Sequence, residues 1–253
     1  MIFYFSATGN SRYVTKRIAA AVNDETIPIE DCIKKGEYSF DVEGKKVGIV
    51  TPTYAWGLPL LVEDFLKNLK LNGKPDYTWF ISTYGTTPGG TGNMASVILK
   101  RKAVSLSALF SVKMPDTWTP IFNLSDKDKV KKINENAEKE IDKIICKIRT
   151  RSTGDYMKNK MPPLLSEIVH SIEYDRMRKT AHFKIEDTCI GCGLCARNCP
   201  ISAIELRNNR PFWTKQSCIM CLRCLHYCPK AAIEYGKRTK KHGQYVHPDI
   251  HKS

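Results

Sequence analysis

Runs of apolar residues alternate with amphipathic segments along the first 150 residues. After the first run, Val14, Ile18, Ala21 and Val22 recur at helical spacing, which predicts a strand, a turn and a helix. The runs show little polar alternation, which is typical of parallel strands covered by helices on both faces. We therefore expect an α/β fold whose ligands bind beyond the carboxyl ends of the strands. Five strands are predicted, at residues 1–5, 25–29, 46–51, 77–83 and 105–112, with helices at 60–69 and 93–102.

A long amphipathic helix is predicted after the last strand. Across residues 125–148, apolar side chains recur every three or four positions and two aspartates stand in the first turn. Residues 151–163 contain a glycine and a pair of prolines, which indicate a linker, and residues 164–178 indicate a connecting helix. The predicted organisation is a first domain at 1–150, a linker and connecting helix at 151–180, a second domain at 181–236 and a basic tail at 237–253.

An internal repeat occupies the C-terminal third. Residues 189–205 (CIGCGLCARNCPISAIE) align with residues 218–234 (CIMCLRCLHYCPKAAIE) at an offset of 29, and nine of 17 positions are identical. Each copy reads C-x2-C-x2-C-x3-C-P, which is the cysteine spacing of two-cluster [4Fe–4S] proteins. The repeat therefore predicts two [4Fe–4S] clusters.

The ligand sets follow from the spacing. Three thiolates two residues apart wrap around one cluster, and the fourth lies too close to complete it, so it ligates the other cluster. Gly191 and Gly193 relieve crowding where backbone amides approach the sulfur atoms, and Pro200 and Pro229 turn the chain away. We assign cluster I to Cys189, Cys192, Cys195 and Cys228, and cluster II to Cys199, Cys218, Cys221 and Cys224.

Other interpretations of the ten cysteines are open. Disulfides are disfavoured because no leader segment is visible. A pair of four-cysteine zinc sites is one alternative, although zinc sites usually show two separated CxxC pairs. A second alternative is that the clusters only stabilise a segment too small to fold unaided. Cys32 and Cys146 stand outside the motifs, and we assign neither a role.

Residues 181–236 resemble the bacterial-type two-cluster ferredoxins in this duplicated motif. The resemblance implies a small α+β domain with a pseudo-twofold axis. Two linked clusters favour electron relay over a purely structural role.

Composition narrows the class of protein further. With 42% hydrophobic and 26% charged residues, the chain is typical of globular proteins, which excludes intrinsic disorder. No stretch approaches about 18 uninterrupted apolar residues, and the first five residues have no basic flank. We therefore expect no membrane insertion, no secretion and a cytoplasmic location.

The charge is strongly basic and unevenly distributed. The formal net charge is +14, of which residues 1–150 carry +5, residues 151–180 carry +2 and residues 181–253 carry +7. No nucleic-acid motif or interleaved aromatic residues accompany the excess, so we expect no nucleic-acid partner. Two interpretations of the basic excess are open: a solvated run of charges, or a docking patch for an acidic redox protein. The tail contributes the most concentrated basic group, at Lys237, Arg238, Lys240 and Lys241.

Three loops at predicted strand ends indicate a phosphate and an aromatic ring site. Hydroxyl side chains and backbone amides before a helix hold phosphate groups, although such residues are most often simple N-caps. Trp56 and Tyr84 each follow a strand, where two aromatics can sandwich a planar ring system, although singly they are more often packing residues. The predicted site residues are Ser6, Ala7, Thr8, Gly9, Asn10 and Ser11 in the first loop, Thr53, Tyr54, Ala55, Trp56 and Gly57 in the second, and Thr83, Tyr84 and Gly85 in the third.

With these loops and this strand order, residues 1–150 resemble flavodoxins. The resemblance implies FMN, with the loop Ser6–Ser11 at the phosphate and Trp56 and Tyr84 at the isoalloxazine. Flavodoxins are usually acidic, whereas this chain is basic, a departure that concerns its partners more than its fold. The order of the two domains resembles the EFR-type flavodoxin–ferredoxin fusion proteins (ferrodoxins) of anaerobic bacteria over nearly the whole chain.

Together these features predict an electron-transfer protein whose two clusters exchange single electrons with FMN, which stores up to two. We expect redox partner proteins, such as an acidic ferredoxin-type donor or a reductase. The alternatives are an FMN-dependent reductase of a small acceptor, such as a quinone or free flavin, and a redox sensor with structural clusters. No catalytic residue is assigned, and the oligomeric state is left open.

Overall fold

The computed structural model describes residues 1–251. The first two thirds of the chain contain eight strands and six helices. The strands are β1 (Ile2–Tyr4), β2 (Thr26–Pro28), β3 (Ser39–Asp41), β4 (Lys46–Pro52), β5 (Lys70–Asn72), β6 (Tyr77–Tyr84), β7 (Ala108–Lys113) and β8 (Gly154–Asp155). The helices are α1 (Asn10–Val22), α2 (Ile29–Lys35), α3 (Leu60–Asn68), α4 (Thr91–Lys100), α5 (Lys127–Arg149) and α6 (Pro163–Met177).

Six of the strands form one parallel sheet in the order β2-β1-β4-β6-β7-β8, and β3 pairs in parallel with β5 outside it. All eight residues of β6 are buried, because helices cover both faces of the centre of the sheet. Gly48 on β4 permits this packing, since a Cβ atom there would lie 2.1 Å from the ring of Trp79 on β6. The predicted α/β fold class is confirmed.

Two apolar cores flank the sheet. On one face, α1 and α5 pack against it through side chains such as Ile18, Ile141 and Trp79. On the other face, α2, α3 and α4 pack through side chains such as Phe65 and Phe80. Each fully buried side chain of this size contributes about 1.5–3 kcal/mol from the hydrophobic effect. The long helix predicted over residues 125–148 is α5, and its N-cap Asp126 accepts a hydrogen bond from the Lys129 amide at 2.9 Å.

The sheet has one more strand than the five predicted. Strand β8 lies in the segment 151–163, which the sequence indicated to be a linker, and pairs with β7 at Ala108 and Leu109. Tyr156 then stacks on Phe110 with ring centroids 5.3 Å apart. An edge strand of two exposed residues has no apolar run, so no sequence pattern marks it.

The C-terminal third is a small α+β unit in which two antiparallel pairs and two short helices repeat. Strand β9 (Phe183–Ile185) pairs with β12 (Ile233–Tyr235), and β10 (Ile204–Arg207) pairs with β11 (Arg210–Trp213). In each copy the third cysteine lies in a short helix: Cys195 in α7 (Leu194–Arg197) and Cys224 in α8 (Arg223–His226). Tyr54 and Trp118 of the N-terminal half pack against the apolar core of this C-terminal unit, so the two halves of the chain are in direct contact.

The tail contains α9 (Thr239–His242) and a 3-10 turn at Pro248–His251. It packs against the N-terminal half: the Leu124 amide donates to the His242 carbonyl at 2.8 Å, and Tyr245 and His247 are buried. The four basic residues of the tail are exposed. None of the helices in residues 1–251 combines the length and apolar character needed to cross a bilayer.

Candidate cofactor sites at the carboxyl edge of the sheet

A cleft of about 330 Å³ opens where β1, β4, β6 and β7 end. The three predicted loops meet there, as expected for the carboxyl ends of parallel strands. Gly9 and Gly57 belong to these loops without lining the cleft. The residues of the predicted set that line it are Ser6, Ala7, Thr8, Asn10, Ser11, Thr53, Tyr54, Ala55, Trp56, Thr83, Tyr84 and Gly85.

The first loop has the features of an anion-binding loop. Gly9 is the N-cap of α1 with a φ of 102°, a left-handed conformation that favours glycine. Thr8 and Ser11 are buried, and the Ser11 hydroxyl lies 2.8 Å from the Thr83 hydroxyl. The Asn10 amide group donates to the Pro115 carbonyl at 3.1 Å, which ties the loop to the end of β7. Helix amides, the helix dipole and hydroxyl groups together suit a phosphate.

The second loop holds Trp56 at the cleft in an uncommon conformation. Ala55 and Trp56 have φ angles of 44° and 66°, which a bulky residue adopts only where its surroundings enforce it. The Trp56 carbonyl accepts a hydrogen bond from the Gly90 amide at 2.8 Å, and a Cβ atom at Gly89 would lie 2.1 Å from that carbonyl oxygen. The loop conformation therefore depends on close backbone packing.

The third loop lies against an acidic residue that lines the cleft. A Cβ atom at Gly85 would lie 2.1 Å from the carboxylate of Asp116, so the two residues are in direct contact. Burial raises the pKa of Asp116 to about 6, against the opposing effect of the Trp118 amide, which donates to its carboxylate at 3.0 Å. Tyr84 is only 9% exposed, and burial raises its pKa. Sequence reasoning did not identify Asp116, although it follows the end of β7.

These features fit FMN. The first loop lies at one side of the cleft, and the aromatic residues Trp56 and Tyr84 are among those that line the remainder. FMN supplies redox chemistry of one or two electrons when bound. The residues of the cleft would hold the phosphate, cover the ring and exclude water.

The cleft has a fourth wall that sequence reasoning missed. Helix α6 contributes Tyr174 and Met177, and the second cysteine repeat contributes Met220, Cys221 and Leu222. The Tyr174 hydroxyl donates to the Ile219 carbonyl at 2.8 Å, which joins α6 to the second repeat. Nothing in the sequence links these segments to the three loops, because they meet only when the two domains pack.

The cysteines of the two repeats line two small cavities. Each cavity takes three cysteines from one repeat and the fourth from the other. One is lined by Cys189, Cys192, Cys195 and Cys228, and the other by Cys199, Cys218, Cys221 and Cys224. The structure thus brings together the four residues assigned to cluster I and the four assigned to cluster II.

The backbone of each repeat follows the same turn. Gly191 and Gly193 have φ angles of 66° and 73°, and Met220 and Leu222, at the equivalent positions of the second repeat, have 56° and 53°. Backbone amides also reach the sulfur atoms: the Met220 amide lies 3.2 Å from the Cys218 sulfur. Amide groups around sulfur suit thiolates that ligate iron.

The two cysteine sites differ in burial. Cys192 is exposed, whereas Cys218 and Cys224 are buried. Burial raises the pKa of Cys218 to about 11 and that of Cys221 to about 12, so these thiolates depend on a bound cation. The cluster II cavity is therefore the inner one, next to the cleft.

Two polar side chains lie close to the cluster II cysteines. The Tyr54 hydroxyl is buried and has no hydrogen-bond partner among residues 1–251, and burial and the nearby Cys221 raise its pKa well above the usual value. A hydroxyl group in this position is suited to donate a hydrogen bond to a sulfur atom. Arg223, between two cluster II cysteines, forms an ion pair of 2.8 Å with Glu30 and is 12% exposed.

The two cysteines outside the motifs lie away from both cavities. Cys32 is buried in the core beside α3, and Cys146 is exposed on α5. Burial raises the pKa of Cys32 to about 11, which keeps its thiol protonated.

Comparisons with known proteins address the two halves separately. The flavodoxin domain family matches residues 1–143, and the 4Fe-4S dicluster domain family matches residues 182–229. Ferredoxin-1 of Rhodospirillum rubrum is 65% identical over 23 residues, which cover 9% of this chain and 42% of that relative's length.

Two solved structures resemble the N-terminal half. A flavodoxin of Streptococcus pneumoniae TIGR4 is 16% identical, with a TM-score of 0.34, and the alignment covers 56% of this chain and 97% of that one. The Trp repressor binding protein of Bacillus subtilis is 11% identical, with a TM-score of 0.30, over 55% of this chain and 97% of that one.

Proposed function

The chain belongs to the flavodoxin domain family and carries a 4Fe-4S dicluster domain, and from this we propose that single electrons pass from cluster I through cluster II to FMN. It is a flavodoxin–ferredoxin fusion and an electron-transfer protein with FMN and two [4Fe–4S] clusters.

One observation carries the proposed order. Cys221 lines both the cluster II cavity and the flavin cleft, and Leu222 stands beside it on the same shared wall. No residue of the cluster I cavity lines the cleft in the described part of the chain. Cluster II therefore stands between cluster I and FMN.

The residues around this shared wall exclude water from the transfer path. Met220 and Leu222 are buried, as is Tyr174, whose hydroxyl fixes the second repeat through Ile219. The Arg223 guanidinium, only 12% exposed, lies near Cys221 and would offset the negative charge of that thiolate when it ligates iron. A dry, pre-positioned wall lowers the reorganisation that each electron transfer requires.

The relay can be tested by damaging cluster II through a ligand that does not line the cleft. Cys199 is a proposed cluster II ligand that does not line the flavin cleft. Stopped-flow reduction of the flavin by a one-electron ferredoxin-type donor should slow at least about tenfold in Cys199→Ser. Exposed Cys146→Ser serves as the matched control and should react as the native protein does. Flavin reduction at the native rate in Cys199→Ser would refute the relay.

We propose that partners dock at the outer face of cluster I. There Ile190 is 60% exposed and Leu206 40% exposed beside the exposed Cys192. Arg197 and Lys230 flank this apolar spot. An apolar centre with a basic rim complements an acidic one-electron carrier.

The tail extends this basic rim. Lys240 pairs with Glu186 at 3.2 Å, which places the tail near the start of the first repeat. We retain the proposal that the tail steers an acidic partner toward cluster I. The cytoplasm, where thiols stay reduced, is the location we propose.

A reductase of a small acceptor is the second candidate, and one observation favours it. Trp118, Ile121 and Phe122 also line the cleft, and Ile121 is 61% exposed. An apolar, accessible margin beside a flavin suits a planar acceptor such as a quinone. Multiple turnovers with a water-soluble quinone, slowed by Ile121→Lys, would support this function. Reduction no faster than that by free FMN would reject it.

A further inference from the structure

Three successive carbonyls of the phosphate loop are held by residues from the C-terminal third. The guanidinium of Arg223 donates to the Ser6 carbonyl at 2.6 Å and to the Ala7 carbonyl at 3.3 Å. The His247 backbone amide donates to the Thr8 carbonyl at 2.9 Å. The loop that precedes α1 is thus held from outside its own domain.

These bonds orient the amides of the same loop. In a planar trans peptide, the carbonyl and the following N–H point in opposite directions. Holding the carbonyls of Ser6, Ala7 and Thr8 outward therefore turns the amides of the next residues the other way, into the loop. The Gly9 amide illustrates this, since it donates to the Ser6 hydroxyl at 3.2 Å inside the loop.

The tail is anchored at this point by further contacts. His247 is 2% exposed and stacks on Tyr13 with ring centroids 4.1 Å apart. The Tyr245 hydroxyl donates to the side-chain oxygen of Asn10 at 3.0 Å. We call Arg223, Tyr245 and His247 the loop clamp.

Arg223 is positioned by both halves of the molecule. Besides the loop carbonyls, it donates to the Asn198 carbonyl at 3.1 Å and pairs with Glu30 at 2.8 Å. It also stands between the cluster II cysteines Cys221 and Cys224 in the sequence. The folding of the cysteine repeat therefore decides whether Arg223 reaches the loop.

We propose that the loop clamp makes recognition of the flavin phosphate depend on the folded dicluster domain and tail. This rests on the proposed placement of the FMN phosphate at Ser6–Ser11. A pre-oriented set of amides binds a phosphate without first paying the entropy of ordering the loop. Riboflavin, which has no phosphate, gains nothing from it. The ratio of the riboflavin to the FMN dissociation constant thus reports recognition of the phosphate, separately from binding of the ring system.

The first test removes the Arg223 bonds. Arg223→Met is combined with Glu30→Gln, so that no unpaired charge remains buried. In flavin-depleted protein with its clusters intact, anaerobic calorimetry should show FMN affinity about tenfold lower, the scale of one charge-assisted hydrogen bond, and riboflavin affinity unchanged. Arg210→Met is the matched control, since Arg210 also donates to a backbone carbonyl, that of Glu186 at 3.0 Å, far from the loop.

The second test removes the tail's hydrogen bond without altering a charge. His247→Pro deletes the backbone donor, whereas His247→Ala keeps it and loses only the ring. FMN affinity should fall about tenfold further in the proline variant than in the alanine variant, with riboflavin affinity equal in both. The clamp would be overturned if the two His247 variants bound FMN equally well and the Arg223 variant kept the native ratio of riboflavin to FMN dissociation constants.

A third variant separates this inference from the site on which it rests. Thr8→Leu places a bulky apolar side chain in the loop itself. If this variant leaves the ratio of riboflavin to FMN dissociation constants unchanged, the phosphate binds elsewhere and its proposed placement at Ser6–Ser11 is wrong. If it lowers the ratio while both clamp variants keep the native ratio, the placement stands and the clamp alone is wrong.

Discussion

At the residue scale, Asp116 is the titratable group with the clearest bearing on the flavin. Its carboxyl group lines the cleft, and burial raises its pKa to about 6. Below pH 6 the carboxyl group is neutral, and above pH 6 it is negatively charged. Reduction of the flavin adds further negative charge to the same site. The charge therefore opposes reduction only above pH 6.

Asp116→Asn should remove the carboxylate charge that disfavours reduction of the flavin. We expect the midpoint potential of the bound flavin to rise by tens of millivolts at pH 8 relative to the native protein, and to match it at pH 5. Spectroelectrochemical titration at the two pH values measures the difference. An equal shift at both values would show that the substitution acts through packing and not through charge.

At the element scale, α6 supports the Trp56 loop. Only carbonyl oxygens face Nδ1 of His170, so this nitrogen carries the proton and donates to Tyr54 at 3.0 Å and to Ala55 at 3.2 Å. A Cβ atom at Gly57 would lie 2.4 Å from the same ring. The helix therefore holds the loop in the left-handed conformation that brings Trp56 to the cleft.

His170→Phe keeps a ring in place and deletes the donor. We expect affinity for FMN and for riboflavin to fall by the same factor, about five- to tenfold, because the loop acts on the ring system and not on the phosphate. Equilibrium dialysis with both flavins tests this, and exposed Ser171→Ala on the same helix is the control. A loss confined to FMN would contradict the assigned role.

At the scale of the whole molecule, the clusters and the flavin site are coupled through folding. The motif predicts about eight iron atoms and eight sulfides per chain. Chelation of this iron should unfold residues 181–236, because ligation and folding are linked in small metal-binding domains. Arg223 then leaves the loop, so bound FMN should be released.

Ultrafiltration of the chelated protein measures this release, with iron and sulfide assays confirming cluster loss. Circular dichroism should show that the parallel sheet survives. Retention of FMN at native affinity after complete iron loss would contradict the coupling.

The charge of the basic tail also acts at the scale of the whole molecule. If the exposed tail residues steer an acidic donor, its rate of reduction of the clusters should fall as salt rises, because the Debye length is only about 10 Å at 0.1 M. Replacing Lys237, Arg238, Lys240 and Lys241 by glutamine should flatten that dependence and leave cofactor content unchanged. A stopped-flow salt series identical to that of the native protein would leave the tail without a docking role.

The sequence alone was sufficient for features that depend on local chemistry. Buried strands of apolar residues predicted the α/β fold, the helix over residues 125–148 followed from its periodicity, and the cysteine spacing predicted two clusters. Twelve of the fourteen residues proposed for FMN line the cleft, because the carboxyl ends of parallel strands meet at one edge. These features need only short-range spacing and one topological rule.

Tertiary packing decided the remainder. Helix α6 buries Ser166, His170 and Tyr174 and exposes Leu164 and Ile168, which reverses the usual pattern of an amphipathic helix. These three buried residues pack against the turn at Gly90, the Trp56 loop and the second cysteine repeat, so the periodicity of α6 could not reveal its buried face. The contact of Arg223 with Ser6 likewise joins residues 217 positions apart. No local rule connects such positions, and only the docking of the two domains decides which polar groups meet.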